Sequence, residues 1–402
     1  MSNEPQNENK NEISTTANTE STTPDTINSW DELECKTDVL RGIYAYGFEN
    51  PSPIQKQGIL PLIQGKDIIA QAQSGTGKTG CFVIGALELI DDSEKGPQII
   101  IIAPTRELSQ QIKKVVDSIG SLMSNLKTEL LIGGVSSENN AKSLRESPQI
   151  VIGCPGRVYD MIQRKHLSTQ YIKTIIIDEA DEMLSPGFKE QIYNIFQKLP
   201  SNVQVALFSA TMPNEIYNLT GKFMRDPVKI LVKTEMLTLD GIGQYYINLT
   251  DDTEKYDTLK DLFSVISVSQ CIIYCNSVNR VSDLYDAMSR DNFPVCRIHS
   301  NMDKEERHKN YNDFINGTFR VLISSNLTAR GIDIQQVSTV INFDIPSCVN
   351  TYLHRIGRSG RWGRKGTGIN FVTKRDFKRL KEIETFYNTE INELPADFNQ
   401  GA

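Results

Sequence analysis

Ala72-Gln73-Ser74-Gly75-Thr76-Gly77-Lys78-Thr79 is the stretch on which the reading of this chain turns. Before it lies Ile68-Ile69-Ala70, a short apolar run that reads as a strand. After it comes Cys81-Phe82-Val83-Ile84-Gly85-Ala86-Leu87, long enough with its flanks to be a buried helix. Strand, glycine-rich turn and helix is the setting in which such a loop cradles phosphate. Gly75 and Gly77 can take backbone angles that aim successive N–H groups at phosphate oxygens. The helix N-terminus adds partial positive charge, Lys78 can reach β- and γ-phosphates, and the Thr79 hydroxyl can bind Mg²⁺. Ala72 stands where the usual pattern opens with glycine.

Outward from this loop, apolar strands alternate with amphipathic helices. Ile99 to Ala103, Glu129 to Ile132, Gln149 to Ile152, Thr174 to Ile177 and Val203 to Phe208 read as strands of one unit that closes near Val232. Continuous apolar strands separated by helices predict a parallel sheet covered on both faces. Residues 234–243 hold two glycines and no strong period, which suits a linker. A second α/β series follows over 244–394, with strands at Tyr245 to Leu249, Cys271 to Cys275, Val295 to Ile298, Arg320 to Ser324, Thr339 to Phe343 and Gly368 to Val372. It contains no Gly-Lys-Thr loop. The second half therefore resembles the first in architecture and not in chemistry.

The 402 residues are too many for one core, in keeping with two domains over 28–233 and 244–394. Residues 1–27 are Asn, Thr, Ser and Glu with few large apolar side chains, and are expected to be a disordered polar tail. Residues 395–402 are expected to fray. More than half of the net charge of −7 lies in the first tail, so the body is near neutral. That excludes a protein coating nucleic acid by charge alone, while leaving room for a local basic groove. No apolar run is long enough for a membrane span, and the N-terminus has no signal-like apolar core. The seven cysteines fall at irregular spacings, several inside apolar runs, as reduced buried thiols in a cytosolic or nuclear compartment would.

Two further segments carry chemistry. Asp178-Glu179-Ala180-Asp181 follows the strand Thr174 to Ile177, and doubly wound sheets place their ligands at that strand end. Asp178 is a candidate Mg²⁺ ligand, and Glu179 can orient or deprotonate an attacking water. Acidic residues there also serve as plain helix caps. Ser209-Ala210-Thr211 ends the next strand and alone says nothing. His354-Arg355-Ile356-Gly357-Arg358-Ser359-Gly360-Arg361 sets basic side chains among glycines. Read alone, it is either a pair of arginine forks for one phosphate or an RNA-binding basic loop. The first half has a phosphate loop and no arginine close by in sequence; the second has arginines and no phosphate loop.

Taken in order, Phe48 to Gln55, Ala72 to Thr79, Pro104-Thr105-Arg106-Glu107-Leu108, Gly133-Gly134, Asp178 to Asp181, Ser209 to Thr211, Ala329-Arg330-Gly331-Ile332-Asp333 and His354 to Arg361 resemble the motifs of DEAD-box RNA helicases. The likeness runs from about Trp30 to about Leu394. It implies two tandem RecA-like domains with ATP and Mg²⁺ in the cleft. By that likeness Gln55 reads the adenine edge and Phe48 stacks on its ring. Ala72, Gln73, Ser74, Gly75, Thr76, Gly77, Lys78 and Thr79 hold the phosphates, with Thr79 and Asp178 on the metal. Gly331 and Asp333 approach the ribose. Lys78, Glu179, Arg358 and Arg361 are the catalytic set, the two arginines acting as fingers across the cleft. Asp181, Ser209, Thr211, His354 and Arg355 couple the ATP site to RNA. RNA is expected along Thr105, Arg106, Gly134, Gly156 and Arg157 in the first domain, and along Lys304, Arg307 and Thr328 in the second. Contacts of that kind grip sugar and phosphate, so single-stranded RNA is bound without sequence preference.

Within the family the resemblance points to the branch that works in translation initiation, on Arg41 to Phe48, Lys222 to Pro227 and Glu384 to Thr389. It implies a cytoplasmic monomer that unwinds the 5′ region of mRNA beside a helical-repeat scaffold protein of the cap-binding complex. The alternative is an ATP-locked RNA clamp of the exon-junction type, which would be nuclear. Three positions depart from the family: Cys154 where Thr is usual, Lys304 where Gln is usual, and Asn326 where Asp is usual.

Overall fold

The computed structural model describes residues 26–73, 75–231, 242–266, 269–329, 337–359, 366–395 and 398. The strands of the first half are β1 (Ile68–Gln71), β2 (Ile99–Ile102), β3 (Thr128–Leu131), β4 (Ile150–Gly153), β5 (Thr174–Asp178), β6 (Gln204–Ser209) and β7 (Val228–Leu231). They form one parallel sheet in the order β3-β4-β2-β5-β6-β1-β7. Its helices are α1 (Thr37–Ala45), α2 (Pro53–Ile63), α3 (Lys78–Leu89), α4 (Arg106–Ile119), α5 (Ser137–Leu144), α6 (Pro155–Gln163), α7 (Ala180–Met183), α8 (Lys189–Phe196) and α9 (Asn214–Thr220).

The period of two along these strands divides the core. Ile99 and Ile101 of β2 pack with Val39, Ile59, Phe82 and Ile112 of α1 to α4 on one face. Ile100 and Ile102 pack with Val158, Met161, Ile192 and Ile195 of α6 and α8 on the other. Each such side chain taken fully from water contributes about 1.5–3 kcal/mol. A strand buried on both faces has no reason to alternate in polarity, which is why these strands read as continuous apolar runs.

The second half repeats the plan. Its strands are β8 (Ile242–Leu249), β9 (Cys271–Tyr274), β10 (Val295–Ile298), β11 (Val321–Ser324), β12 (Thr339–Asn342), β13 (Gly366–Thr373) and β14 (Asn392–Glu393). They run parallel in the order β10-β11-β9-β12-β13-β8-β14, which is the order of the first sheet with seven added to each strand number. Its helices are α10 (Lys255–Val265), α11 (Val278–Arg290), α12 (Lys304–Ile315), α13 (Val349–Ile356) and α14 (Phe377–Tyr387). α10 and α11 cover one face, and α12 to α14 the other. The chain is thus an α/β protein of two tandem RecA-like domains. Among the described residues no helix is long and apolar enough to cross a membrane.

Three boundaries differ from the sequence reading. Ile27, placed in the polar tail, is buried in the first core and donates its N–H to the Lys56 carbonyl at 3.2 Å. A single apolar residue beside a polar run gives no period to read. Ile242 and Gly243, placed in the linker, begin β8 and pair with Gly366 and Thr367. Backbone pairing outweighs the low strand propensity of glycine there. Phe398, placed in the fraying tail, meets the Tyr245 ring edge-on at 4.9 Å. The rest of the expected linker lies outside the described residues.

Candidate active site

The turn after β1 is held from within. Gly77, at φ +102°, sits in the left-handed region before α3, a conformation that would strain any residue with a Cβ. Lys78 is buried, and its Nζ donates to the carbonyls of Ala72 at 2.7 Å and Gln73 at 3.2 Å. The Thr76 hydroxyl donates to the Gln73 carbonyl at 2.6 Å. Ala72 donates its N–H to the Ser209 carbonyl at 3.0 Å, tying the loop to the end of β6. Gly75 and Thr79 line the cavity described below, and Ser74 lies outside the described residues.

Gln55 is buried at the start of α2. Its Oε1 accepts the Ser52 N–H at 2.8 Å, and its Nε2 donates to the Gly77 carbonyl at 3.2 Å. One side chain thus closes the capping box of α2 and touches the phosphate loop. Phe48 lies between the edge of Tyr46 at 4.9 Å and the stacked ring of Trp30 at 6.2 Å, measured between centroids. The role of Trp30 as a wall behind Phe48 was not read from the sequence, where it marks only the start of the family likeness.

β5 delivers Asp178 and Glu179, both buried. Burial, with the Glu179 charge beside it, pushes the Asp178 carboxyl up to about 7. Asp178 accepts the Glu179 N–H at 2.9 Å. Glu179 itself takes φ +52°, a left-handed conformation uncommon for a residue with a side chain. Its Oε2 is buried without a hydrogen-bond partner among the described residues. An unpartnered oxygen of Glu179 and the buried carboxyl of Asp178 beside a phosphate loop suit a divalent cation and a polarised water.

The halves meet on this segment. Asp181 accepts the Ser209 hydroxyl at 2.9 Å and the Thr211 hydroxyl at 2.7 Å from its own domain. His354 of α13 places Nε2 at 2.9 Å from Asp181 Oδ2, and Nδ1 at 3.9 Å from Glu179 Oε2. Four of the five expected coupling residues are therefore one cluster across the interface. Arg355, the fifth, turns into its own domain. Its guanidinium is buried and donates to Asn276, Asn326, Asn342 and the Asp344 carbonyl, and burial lowers it to about 10.

Arg358 follows α13, is buried, and donates Nε to the His354 carbonyl at 3.2 Å. It lines a cavity of 1180 Å³ with Phe48, Gly75, Gly77, Lys78, Thr79, Asp178 and Glu179. An arginine of the second half and a phosphate loop of the first thus share one cavity. Arg361, Gly331 and Asp333 lie outside the described residues.

The expected RNA residues are scattered in role. Thr105 caps α4 by accepting the Leu108 N–H at 3.2 Å. The Arg106 guanidinium lies against Gly133. Gly134 is exposed at φ +103°, with the Lys304 chain from the other half laid over it. Gly156 is exposed in the first turn of α6, and Arg157 donates to the Val135 carbonyl at 2.9 Å and to Asn140 Oδ1 at 2.6 Å. Thr328 is buried, and its hydroxyl donates to Ser324 Oγ at 2.7 Å. Arg307 is buried as well, paired with Glu107 of the other half. Cys154 sits 3.6 Å from the Ser109 hydroxyl, with its thiol pushed up by burial.

Residues 52–219 match the DEAD/DEAH box helicase family, and residues 254–363 the helicase conserved C-terminal domain. A curated relative from Kluyveromyces lactis, "ATP-dependent RNA helicase eIF4A", is 52% identical over 381 residues, covering 95% of this chain and 96% of the relative. The chain belongs to the DEAD-box helicases. Among solved structures, S. cerevisiae Dbp5 bound to RNA and ADP BeF3 is 34% identical, covers 91% of this helicase and 95% of its own chain, and superposes with a TM-score of 0.85. A point variant of Dbp5 bound to Nup159, Gle1, IP6 and ADP, 33% identical and covering 90% and 96%, scores 0.62.

Proposed function

We propose that the chain is an ATP-dependent RNA helicase of the translation-initiation type, which grips single-stranded RNA without sequence preference and locally melts duplexes as its two domains close. The observation that carries this is the shared cavity, in which Arg358 of the second half faces Lys78, Asp178 and Glu179 of the first. A complete ATPase site then exists only when the halves meet.

The residues divide the work. The phosphate loop, through Gly75, Gly77, Lys78 and Thr79, binds the triphosphate, and its lysine leaves the Ala72 and Gln73 carbonyls to do so. Gln55 and Phe48 select and stack the adenine. Asp178 and Thr79 would hold Mg²⁺, which neutralises charge on the phosphates. Glu179 orients the attacking water and takes its proton. Arg358, joined by Arg361, stabilises the charge gathering on the transferring phosphoryl group. Asp181, Ser209, Thr211 and His354 report closure from one half to the other. Thr105, Arg106, Gly134, Gly156, Arg157, Lys304 and the neighbourhood of Thr328 mark the RNA path over both halves. The likeness to cap-complex helicases supports mRNA as the substrate, a helical-repeat scaffold as the partner and the cytoplasm as the site of action.

An RNA-stimulated ATPase assay tests the reading. Turnover should rise with single-stranded RNA of any sequence and show strong preference for ATP over GTP, since the wrong base leaves buried groups unpaired at roughly 1–3 kcal/mol. Turnover indifferent to RNA would overturn it. Bound nucleotide retained through the RNA complex would favour the exon-junction type of clamp instead.

A further inference from the structure

The stretch Glu384 to Thr389, which the family likeness singles out, runs over the end of α14, and the ATPase cavity leaves it without a task. The turn and helix before it are basic. Lys374, Arg375, Lys378, Arg379 and Lys381 stand against the single carboxylate of Asp376, in a chain of net charge −7. The structure sorts these charges. Asp376 turns inward, accepting the Thr373 N–H at 3.0 Å and hydroxyl at 2.8 Å. Arg379 pairs with Glu382, and Lys381 with Glu384 at 2.6 Å. Lys374, Arg375 and Lys378 are exposed and have no ion pair among the described residues.

Beside them lies a receptive surface. Lys378 and Lys381 line an open groove of 590 Å³ with Val349, the first residue of α13, and with Glu382, Thr385 and Phe386 of α14. Phe386 is 58% exposed. Its ring crosses that of Tyr387 at 80° with 4.9 Å between centroids, and the Tyr387 hydroxyl donates to the Val349 carbonyl at 3.0 Å. The ring is thus braced by a neighbour tied to α13, while more than half of the residue faces water. Aromatic faces set among cations hold single strands, with a base on the ring and phosphates on the charges.

The place of the patch fits that use. The turn of Lys374 and Arg375 follows β13, and Thr328, which marks the RNA path, follows β11. Both lie at the C-terminal ends of strands in one parallel sheet, with β9 and β12 between. Three strand spacings are about 14 Å, which a nucleic-acid strand covers in a few nucleotides. Asp344, which follows β12 on the same edge, is already neutralised by Lys255 and Arg280. Resting on the reading of the chain as an RNA helicase, we propose that Lys374, Arg375, Lys378 and Phe386 form a second site for single-stranded RNA, which holds the strand that runs on from the path over the two halves. The three cations grip phosphates, and Phe386 stacks one base. A strand already bound over the halves reaches this site intramolecularly, so modest contacts suffice. An acidic helix is the poorer occupant. It needs apolar anchors repeated along a groove, and this one offers Val349 and Phe386 alone.

Binding of the full chain to two fluorescent single-stranded RNAs, of about ten and about thirty nucleotides, with a non-hydrolysable ATP analogue tests the proposal. The short strand fills the path over the halves, and the long one reaches the patch as well. Lys374→Gln, Arg375→Gln and Lys378→Gln together should weaken long-strand binding at least about fivefold and lower its log–log salt slope by about 2, at roughly 0.7 for each phosphate contact. Affinity for the short strand, and kcat at saturating short strand, should not change. Phe386→Ala should weaken the long strand about fivefold, the low end of one stacked base, and Phe386→Trp should keep it. A long-strand slope equal to the parent's overturns the proposal. So does a loss shared by both strands, which would place these residues on the main path. A parental slope, together with a polyglutamate peptide that binds the parent and not the triple variant, overturns it in favour of an acidic protein segment. A parent chain whose turnover ignores the short strand would instead overturn the helicase reading itself.

Discussion

The two halves share one strand order and differ in what fills the same corner of the fold. In the first, Lys78 opens α3 after β1, and Asp178 ends β5. In the second, Lys255 opens α10 after β8, the equivalent strand, and Asp344 lies just beyond β12, the equivalent of β5. Asp344 is saturated: it meets Lys255 Nζ at 3.0 Å, Arg280 Nε at 3.1 Å and the Asn276 N–H at 3.1 Å. Asp178 has the Glu179 N–H at 2.9 Å and is held up to about 7 by burial. The turn after β8 differs in the same sense. Asp251 caps it, accepting the Thr253 N–H at 2.8 Å, and puts a carboxylate in the turn that corresponds to the phosphate loop. One corner is built to receive an anion and a cation; the other has internal charges in their place. On the proposed reading, a fold twice used yields one nucleotide site among the described residues, and the second half is free to supply arginine.

The largest effect that would sharpen this contrast is on the first corner. Glu179→Gln keeps the shape and cannot take a proton, so RNA-stimulated turnover should fall by on the order of 10²–10⁴ while ATP-dependent RNA binding persists. Loss of both activities in a folded protein would make Glu179 structural. On the second corner the expected effect is on stability. Lys255→Met removes one partner from a buried carboxylate and should cost about 2–3 kcal/mol, less than the roughly 3–5 of a fully stripped pair because Arg280 and the Asn276 N–H remain. Urea unfolding of the variant measures this. ATP affinity should not change, and a weakened ATP affinity would break the claim that this corner holds no nucleotide. The smallest effect is at the rim: Lys304→Gln should reduce the log–log salt slope of RNA binding by about 0.7, and an unchanged slope would place Lys304 off the RNA.

The same contrast explains what could be read from the sequence. The strands were legible because a parallel strand covered on both faces is an unbroken apolar run, as Ile99 to Ile102 and Thr174 to Ile177 are. The phosphate loop was legible because glycines, lysine and threonine must follow one another locally. His354 and Arg358 were legible as chemistry, and their partners in the first half came from the family likeness. The Glu107–Arg307 pair was not legible as a pair, since nothing local links two residues 200 apart. α12 hid its contact with the other domain because Lys304 and Arg307 on that face read from the sequence as contacts to RNA. Lys255 and Asp344 were missed because each alone is an ordinary surface charge in sequence, and only the repeated topology brings them to one corner.

The central claim is that the arginines of the second half complete the site of the first. Single-turnover hydrolysis by Arg358→Ala, at saturating ATP and rising RNA, tests it most directly. The account predicts a rate at least about tenfold below the parent at every RNA concentration, with ATP affinity in the absence of RNA little changed. Recovery of the full rate at high RNA would contradict it, and would make this segment an RNA-binding loop.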